Sequence, residues 1–236
     1  MMCQWPSRDV NGYVLAGGKS SRMGRDKALL ELAGKPLVLR AVEKLRRVCA
    51  DVSILGNRSE LEMYAPMIRD LHEGCGPLAG IEAAFSNSDK IWNLFMAVDM
   101  PFLPVQLLED WVKMVVEKES TRLSMFYVDG RPQPALCLLH KDVAPYVERA
   151  VARGEFKLLP ALESAAADLA MKQKIAVDTI FLNLPWSANA SLLRENGNLS
   201  EPTEAQQSAQ HLWFANLNTP DEFAVAEAFA SSLEMN

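Results

Sequence analysis

The chain has 236 residues, of which 49% are hydrophobic and 23% are charged, so it can bury a full core and is not predicted to be disordered throughout. Its net charge of −6 excludes broad affinity for nucleic acid or an anionic membrane, which requires a basic face. Four cysteines without a C-x-x-C pair and three histidines without H-x-x-x-H spacing indicate neither a disulfide framework nor a zinc site. No apolar stretch approaches the roughly 18 residues of a membrane span, and residues 1–9 lack a signal-peptide pattern. We therefore predict a cytoplasmic protein with no membrane or nucleic-acid partner.

The first half of the chain alternates short apolar runs with helical patterns, which is typical of a mostly parallel sheet covered by helices. Strands are predicted at "GYVLAG", "DVSILGN" and the shorter "MIRDL", and helices after Pro36 and over "PLAGIEAAF". The run from Leu94 to Val98 is apolar without alternation, so we predict a strand buried on both faces. Asp99 ends this run and Pro101 stops the strand. A carboxylate is thus expected at the carboxyl edge of the sheet, where open α/β folds bind ligands.

The second half begins with a predicted amphipathic helix that ends near Val116. Two strands are predicted at "LSMFYV" and "PALCLLH", with "DGRPQ" as the turn between them, and a late strand at "AVDTIFLNL". Residues 141–170 are predicted to be helical with a break at Gly154, and the polar segment 185–211 to be an irregular insertion. Thr219 and Glu222 form a capping-box pattern, which predicts a final helix. With no internal repeat, a single domain over residues 1–236 is the simplest expectation.

Four cations follow a glycine pair directly after the first predicted strand, in an otherwise acidic chain. They are Lys19, Arg22, Arg25 and Lys27, after Gly17 and Gly18. The spacing matches neither the Walker pattern nor the dinucleotide pattern G-x-G-x-x-G. Glycine lets backbone N–H groups approach a ligand, and arginine and lysine contact phosphate oxygens, so the residues favour an anion site. A solvated basic loop is the alternative that the residues alone leave open.

The stretch "LAGGKSSRMGRDKALL" resembles the nucleotidyltransferase signature L-A-[GA]-G-x-S-x-R-[MF]-G-x-x-K, and the family that it resembles most is the molybdenum cofactor guanylyltransferases. The segments "LGNR", "DLHEGCGPLAGI", "AVDMPFL", "GRPQPALCL" and "FANLNTPDEF" match further motifs of that family in order, so the resemblance spans about residues 11–233. The insertion at 185–211 is a departure from it. The resemblance implies an α/β fold with three layers, in which a mostly parallel central sheet has helices on both faces (a Rossmann-like nucleotide-diphospho-sugar transferase fold).

The resemblance also implies a GTP pocket. Its lining would be formed by Leu15, Ala16, Gly17 and Gly18, with Asn57 and Asp70 holding guanine and ribose. Relatives that use CTP tend to have L-A-A-G, so the L-A-G-G of this chain implies GTP. A turn role is the structural alternative for Asp70.

The implied catalytic residues are Lys27 and Arg22, which would contact phosphates, and Asp99, which would also be the metal ligand for Mg²⁺. Asn216 and Asn218 resemble positions near the acceptor phosphate, although both are also placed to cap the final helix. Arg131 and Gln133 are candidates for the pterin side.

The implied reaction is attack by the terminal phosphate of molybdopterin, or Mo-molybdopterin, on the α-phosphorus of Mg·GTP, with release of pyrophosphate. No general base is required, which agrees with the lack of a His or Cys constellation. Other cofactor-biosynthesis proteins or recipient molybdoenzymes are candidate partners. The alternatives are a cytidylyltransferase that uses CTP, a sugar-phosphate nucleotidyltransferase of the same fold, and a non-catalytic nucleotide-binding protein.

Overall fold

The computed structural model describes residues 7–17, 26–72, 74–187, 190–191 and 203–233. In these ranges the chain forms an eight-stranded sheet and a separate two-stranded hairpin. The strands are β1 Ser7–Leu15, β2 Glu31–Leu32, β3 Lys35–Pro36, β4 Cys49–Leu55, β5 Met67–Ile68, β6 Trp92–Ala97, β7 Leu123–Val128, β8 Arg131–His140, β9 Phe181–Ser187 and β10 Ala190–Ser191. The hairpin consists of β2 and β3.

The eight-stranded sheet has the order β10-β9-β7-β8-β6-β1-β4-β5. Strands β6, β1, β4 and β5 are parallel neighbours, and β9 is parallel to β7. Strand β8 runs antiparallel to both β6 and β7, and β10 antiparallel to β9. The predicted mostly parallel sheet is therefore confirmed, and the carboxyl ends of β1, β4 and β6 lie at one edge.

Helices cover both faces of this sheet. They are α1 Leu37–Val48, α2 Pro77–Asn87, α3 Val105–Val116, α4 Ala144–Ala152, α5 Leu158–Gln173, α6 Val177–Ile180, α7 Glu204–Ser208 and α8 Pro220–Glu227. One hydrophobic cluster joins the sheet to α1 and α3, and a second joins its other face to α2, α4 and α5. Every residue from Trp92 to Met96 is buried, as expected for a strand covered on both faces. The three-layer prediction is confirmed.

Several element boundaries differ from the sequence predictions, and two of these differences have a physical reason in the structure. Strand β8 begins at Arg131, earlier than the predicted Pro134, and the turn before it is only Asp129 and Gly130. Prolines are tolerated there because pairing of β8 with β6 ends at Leu136, so that the first residues of β8 have a partner only in β7.

The second difference is the late strand predicted over residues 176–184. Its first part is the short helix α6, and β9 starts only at Phe181. Strand propensity was misleading here because Val177 and Ile180 favour strands, yet the backbone closes one helical turn before the strand starts.

The segment 185–211 is described only in part. Residues 185–187 complete β9, while α7 starts after Thr203 with a capping box to Gln206. Behind this helix, Ala209 and Leu212 are buried in the hydrophobic cluster shared with α1 and α3. The described ends of this polar segment are thus regular and packed. None of the helices in the described ranges has both the length and the apolar composition that crossing a membrane requires.

Candidate active site

The candidate site lies at the edge where the parallel strands end, and backbone hydrogen bonds extend the sheet into it. Val98 N–H donates to the Leu15 carbonyl at 3.2 Å and Ala16 N–H donates to the Leu55 carbonyl at 3.3 Å. The residues after β1, β4 and β6 are thereby held side by side. This is the position at which open α/β sheets bind ligands.

A cavity of about 670 Å³ opens between these strand ends and the start of α2. Its volume is in the range of small-molecule and cofactor sites. It is lined by Leu15, Gly17, Leu55, Gly56, Asn57, Arg58, Asp70, Gly74, Gly76, Pro77 and Gly80. The predicted nucleotide residues Leu15, Gly17, Asn57 and Asp70 are thus brought together around one cavity.

Two glycines, Gly17 and Gly56, form one wall of the cavity, which we call the glycine wall. A Cβ atom added at Gly17 would meet no described atom within 4 Å. Behind it, Gly56 has a φ of +143°, which disfavours any side chain at the turn after β4. The wall formed by these two residues therefore presents backbone to the cavity.

Asp70, which also lines the cavity, is held between a loop and a helix. Its N–H donates to the Asn57 side-chain oxygen at 3.1 Å. Its Oδ1 would lie only 3.2 Å from a Cβ placed at Gly80 in α2. Because Gly80 has no side chain, the Asp70 carboxylate can rest against the helix beside the cavity. A glycine inside a predicted helix is a signal from which the importance of Gly80 could have been inferred.

Lys27, Asp99 and Asn218 form a second group, which we call the charged cluster. Lys27 Nζ makes an ion pair with Asp99 Oδ2 and donates to Asn218 Oδ1 at 2.7 Å. The side chains of Lys27 and Asp99 are only 17% and 14% exposed. Residues predicted to serve the phosphates, the metal and the acceptor are therefore in direct contact.

The start of α8 sets the position of Asn218. Leu217 N–H donates to the Asp99 carbonyl at 3.1 Å, which joins this segment to the end of β6. The Glu222 carboxylate accepts from the backbone N–H groups of Asn218 and Thr219, and these bonds, that of Asn218 first, lower the pKa of Glu222. The capping box predicted for Thr219 and Glu222 is confirmed. The Asn218 amide also donates to the Asn216 carbonyl at 2.9 Å.

The charged cluster has one oxygen, Asp99 Oδ1, that suits Mg²⁺. Asp99 Oδ1 is buried and has no hydrogen-bond partner among the described residues, while its Oδ2 is paired with Lys27. An unpartnered buried carboxylate oxygen suits Mg²⁺, which binds through one or two carboxylates together with substrate phosphates. The described residues contain no group of three or more His, Cys, Asp or Glu that would hold a metal alone. Asp99 therefore fits a metal that the nucleotide helps to bind.

The remaining predicted site residues are placed as follows. Arg131 and Gln133 are in the first part of β8, and because β8 is antiparallel to β6 they lie at the same sheet edge as Asp99. Ala16 is buried and is not among the residues that line the cavity, and its N–H and carbonyl groups are bonded to Leu55 and Arg58. Arg22 and Gly18 lie outside the described residues.

The fold and this edge define a class of α/β protein that binds a nucleotide-sized ligand where its parallel strands end. The family model of the MobA-like NTP transferase domain matches residues 12–168 of the chain. The protein therefore belongs to the MobA-like NTP transferase family.

Individual relatives agree with this assignment. The molybdenum cofactor guanylyltransferase of Serratia proteamaculans is 34% identical over 166 residues, which are 67% of this chain and 82% of the relative. The enzyme of the same name from Vibrio cholerae is 34% identical over 155 residues, 64% of this chain and 75% of the relative. The solved structure of molybdopterin-guanine dinucleotide biosynthesis protein A from Archaeoglobus fulgidus superposes with a TM-score of 0.67 at 24% identity, covering 94% of this chain and all of that chain. That last likeness supports the fold.

Proposed function

We propose that this protein is a molybdenum cofactor guanylyltransferase, which transfers GMP from GTP to the terminal phosphate of molybdopterin or Mo-molybdopterin and releases pyrophosphate. The observation that carries the proposal is the charged cluster at the same sheet edge as the cavity formed by Gly17, Asn57 and Asp70. A nucleotide-binding site needs a surface that contacts the base and positive charge that neutralises the phosphates. This edge of the sheet has both.

The cavity would hold the nucleoside. The backbone wall at Gly17 leaves room for the edge of a purine, and the Asp70 carboxylate is a suitable acceptor for the guanine N–H groups. The Asn57 side-chain oxygen already accepts from the Asp70 backbone, so it keeps the loop of Asp70 at the cavity wall. Recognition of the base would thus rest on two short polar side chains and on bare backbone.

The charged cluster would hold the phosphates. Lys27 would neutralise negative charge on the triphosphate and on the departing pyrophosphate, with Arg22 as a second cation. Asp99 would hold Mg²⁺, which supplies further neutralisation of phosphate charge when it is bound. Asn216 and Asn218 would orient the acceptor phosphate, and Arg131 and Gln133, which lie at the same edge, the pterin.

The reaction requires neither a general base nor a covalent enzyme intermediate. An anionic oxygen of the acceptor phosphate forms a bond to the α-phosphorus of GTP. The bond from the α-phosphorus to the oxygen that bridges it to the β-phosphorus breaks, and pyrophosphate leaves with that electron pair. The enzyme would accelerate this step by alignment and charge neutralisation.

The proposal is tested by turnover of GTP and CTP in parallel, with molybdopterin as acceptor and Mg²⁺ present, followed as pyrophosphate release. We expect GTP to be used at least about tenfold more efficiently than CTP. Preferential use of CTP would replace the proposal by a cytidylyltransferase. Turnover only with a sugar phosphate as acceptor would point to the sugar-phosphate type. Binding without turnover of any pair would leave a nucleotide-binding protein.

A further inference from the structure

Arg58 is a cation at the cavity that the proposed function does not use. It follows β4, lines the cavity and is 26% exposed. One of its terminal nitrogens, Nη2, donates to the Ala16 carbonyl, and the other, Nη1, forms an ion pair with Asp26 Oδ1. The guanidinium therefore links the residue after β1 to the residue that directly precedes Lys27.

Asp26 passes this link on to Lys27. Its Oδ1 also accepts from Ala28 N–H at 2.9 Å, which caps the short 3-10 turn Lys27–Leu29. Ala28 is completely buried, so the turn is anchored on its inner side. The other face of the turn presents Lys27 to Asp99. The direction of the Lys27 side chain thus depends on a cap whose acceptor oxygen Arg58 also holds.

We propose that Arg58 is a positioning residue, whose forked guanidinium fixes the turn of Lys27 against the end of β1 so that the lysine is aligned for catalysis. The catalytic part of this inference rests on the proposed guanylyl transfer, whereas its structural part does not. Arg58 acts through Asp26, and both of its terminal nitrogens are already bonded to protein acceptors.

The two terminal nitrogens of the guanidinium distinguish this positioning role from a role in which Arg58 contributes only positive charge. A guanidinium is planar and can serve two acceptors at once in fixed directions. A lysine at the same place would keep the charge but could not hold both the Ala16 carbonyl and Asp26 in the same geometry. Arg58→Lys therefore separates the two explanations.

The first experiment compares Arg58→Lys, Arg58→Gln and Asp26→Ala with the native protein in steady-state turnover of GTP and in GTP binding. We expect kcat to fall about 100-fold in all three variants, since a displacement of about 1 Å at a reacting group has that effect. The Kd for GTP should change by less than about threefold, because a displaced Lys27 keeps its charge near the triphosphate and loses mainly its alignment with the transition state. The double variant Arg58→Gln/Asp26→Ala should be no worse than Asp26→Ala, because both act in one chain of contacts.

Arg46→Gln is the matched control. Arg46 also donates to a backbone carbonyl, that of Tyr64 at 3.0 Å, but it is exposed on α1 and does not line the cavity. This variant should keep native kcat and GTP affinity.

The second experiment needs no substrate. Amide hydrogen exchange at residues 28–30, whose N–H groups bond to Asp26 and Lys27, should become at least about tenfold faster in Arg58→Gln and Arg58→Lys, and stay native in Arg46→Gln. Native exchange in the Arg58 variants would overturn the inference. Native kcat in Arg58→Lys would mean that Arg58 contributes only its positive charge. Lost GTP affinity with native kcat would mean that Arg58 binds GTP directly. Either result would overturn the inference that Arg58 positions Lys27. If the native protein turned over no GTP, the proposed function would fail while the exchange result still decided the role of Arg58.

Discussion

Asp99 presents its two carboxylate oxygens to different surroundings, and the difference indicates how the residue works. Oδ2 is neutralised by Lys27, whereas the buried Oδ1 has no partner among the described residues. A buried carboxylate oxygen without a partner is unfavourable unless a ligand satisfies it. We therefore expect Oδ1 to be the oxygen of Asp99 that a bound ligand would contact.

The first prediction concerns this carboxylate. Asp99→Asn keeps the shape of the side chain but removes its charge, so kcat for pyrophosphate release at saturating GTP should fall at least about 100-fold. The control is Asp110→Asn on α3, because Asp110 also has a buried oxygen without a partner but lies outside the site, and burial raises the pKa of its carboxyl group. Asp110→Asn should retain native kcat. Undiminished release by Asp99→Asn would contradict the catalytic role.

Gly17 lines the cavity, and we expect it to affect a different property of the site, namely which base binds there. Since a methyl group there meets no described atom within 4 Å, Gly17→Ala should fold with native thermal stability. The methyl group would protrude from the backbone wall, so we expect kcat/KM for GTP to fall about tenfold and the CTP-to-GTP ratio to rise. Parallel kinetics with both nucleotides measure this change.

The control for Gly17 is Gly80, which lines the cavity beside Asp70. Gly80→Ala would press its methyl group to within 3.2 Å of Asp70 Oδ1, so it should weaken GTP use without any gain for CTP. An unchanged nucleotide ratio in Gly17→Ala would show that the glycine wall does not select the base.

At the scale of elements, the end of β8 contains a histidine whose surroundings favour its neutral form. His140 packs edge-on against Trp92, and its Nδ1 accepts from the Asp142 N–H at 3.1 Å, a bond that protonation would break. Burial lowers the pKa of His140 from 6.5 to about 4, although the nearby Asp142 carboxylate partly opposes the shift and Arg122 supports it. Between these two pH values the unfolded chain binds more protons than the native protein, so native stability falls as the pH falls.

The prediction for His140 follows from this loss of stability at low pH. Between pH 7 and pH 5 the free energy of unfolding should drop by about 1 kcal/mol more in the native protein than in His140→Asn, allowing for the solvent that reaches the ring. Asparagine can still accept from the Asp142 N–H but does not titrate. Urea unfolding at both pH values measures the difference. Equal drops in the two proteins would mean that His140 is not held neutral by the fold.

At the scale of the whole molecule, the sequence predicts those features that depend on residues close together in the chain. The continuous apolar run of β6 and the capping box of α8 are local patterns, and both are confirmed. The contact from Lys27 to Asn218 spans 191 residues, and no local pattern encodes it. The sequence predicts separate roles for these two residues and contains Arg58 only as part of the motif "LGNR". The role of Arg58 is not predictable in this way, because a bond between a side chain and a distant carbonyl leaves no periodic pattern in the sequence.

Long-range packing also explains how the segment 213–218, near the end of the chain, is held at the site. An aromatic cluster joins it to the sheet: Trp213 packs on Trp186 of β9 with ring centroids 5.2 Å apart, and Phe214 contacts both Trp186 and Phe126 of β7. The indole N–H of Trp213 also donates to the Gln206 carbonyl at 3.0 Å. Because Asn216 and Asn218 directly follow these rings, the cluster places them at the end of β6.

The last prediction separates this placement from general stability. Trp213→Ala should reduce the free energy of unfolding by about 3–5 kcal/mol, as truncation of a buried aromatic does. Phe181→Ala at the other end of β9, where Phe181 is also buried, should lose a comparable amount. At a temperature where both variants are folded, only Trp213→Ala should lower kcat, because only there does the segment that contains Asn218 lose its support against Asp99. Equal kcat in the two variants would mean that the backbone bond from Leu217 to Asp99 is sufficient to hold Asn218 in place.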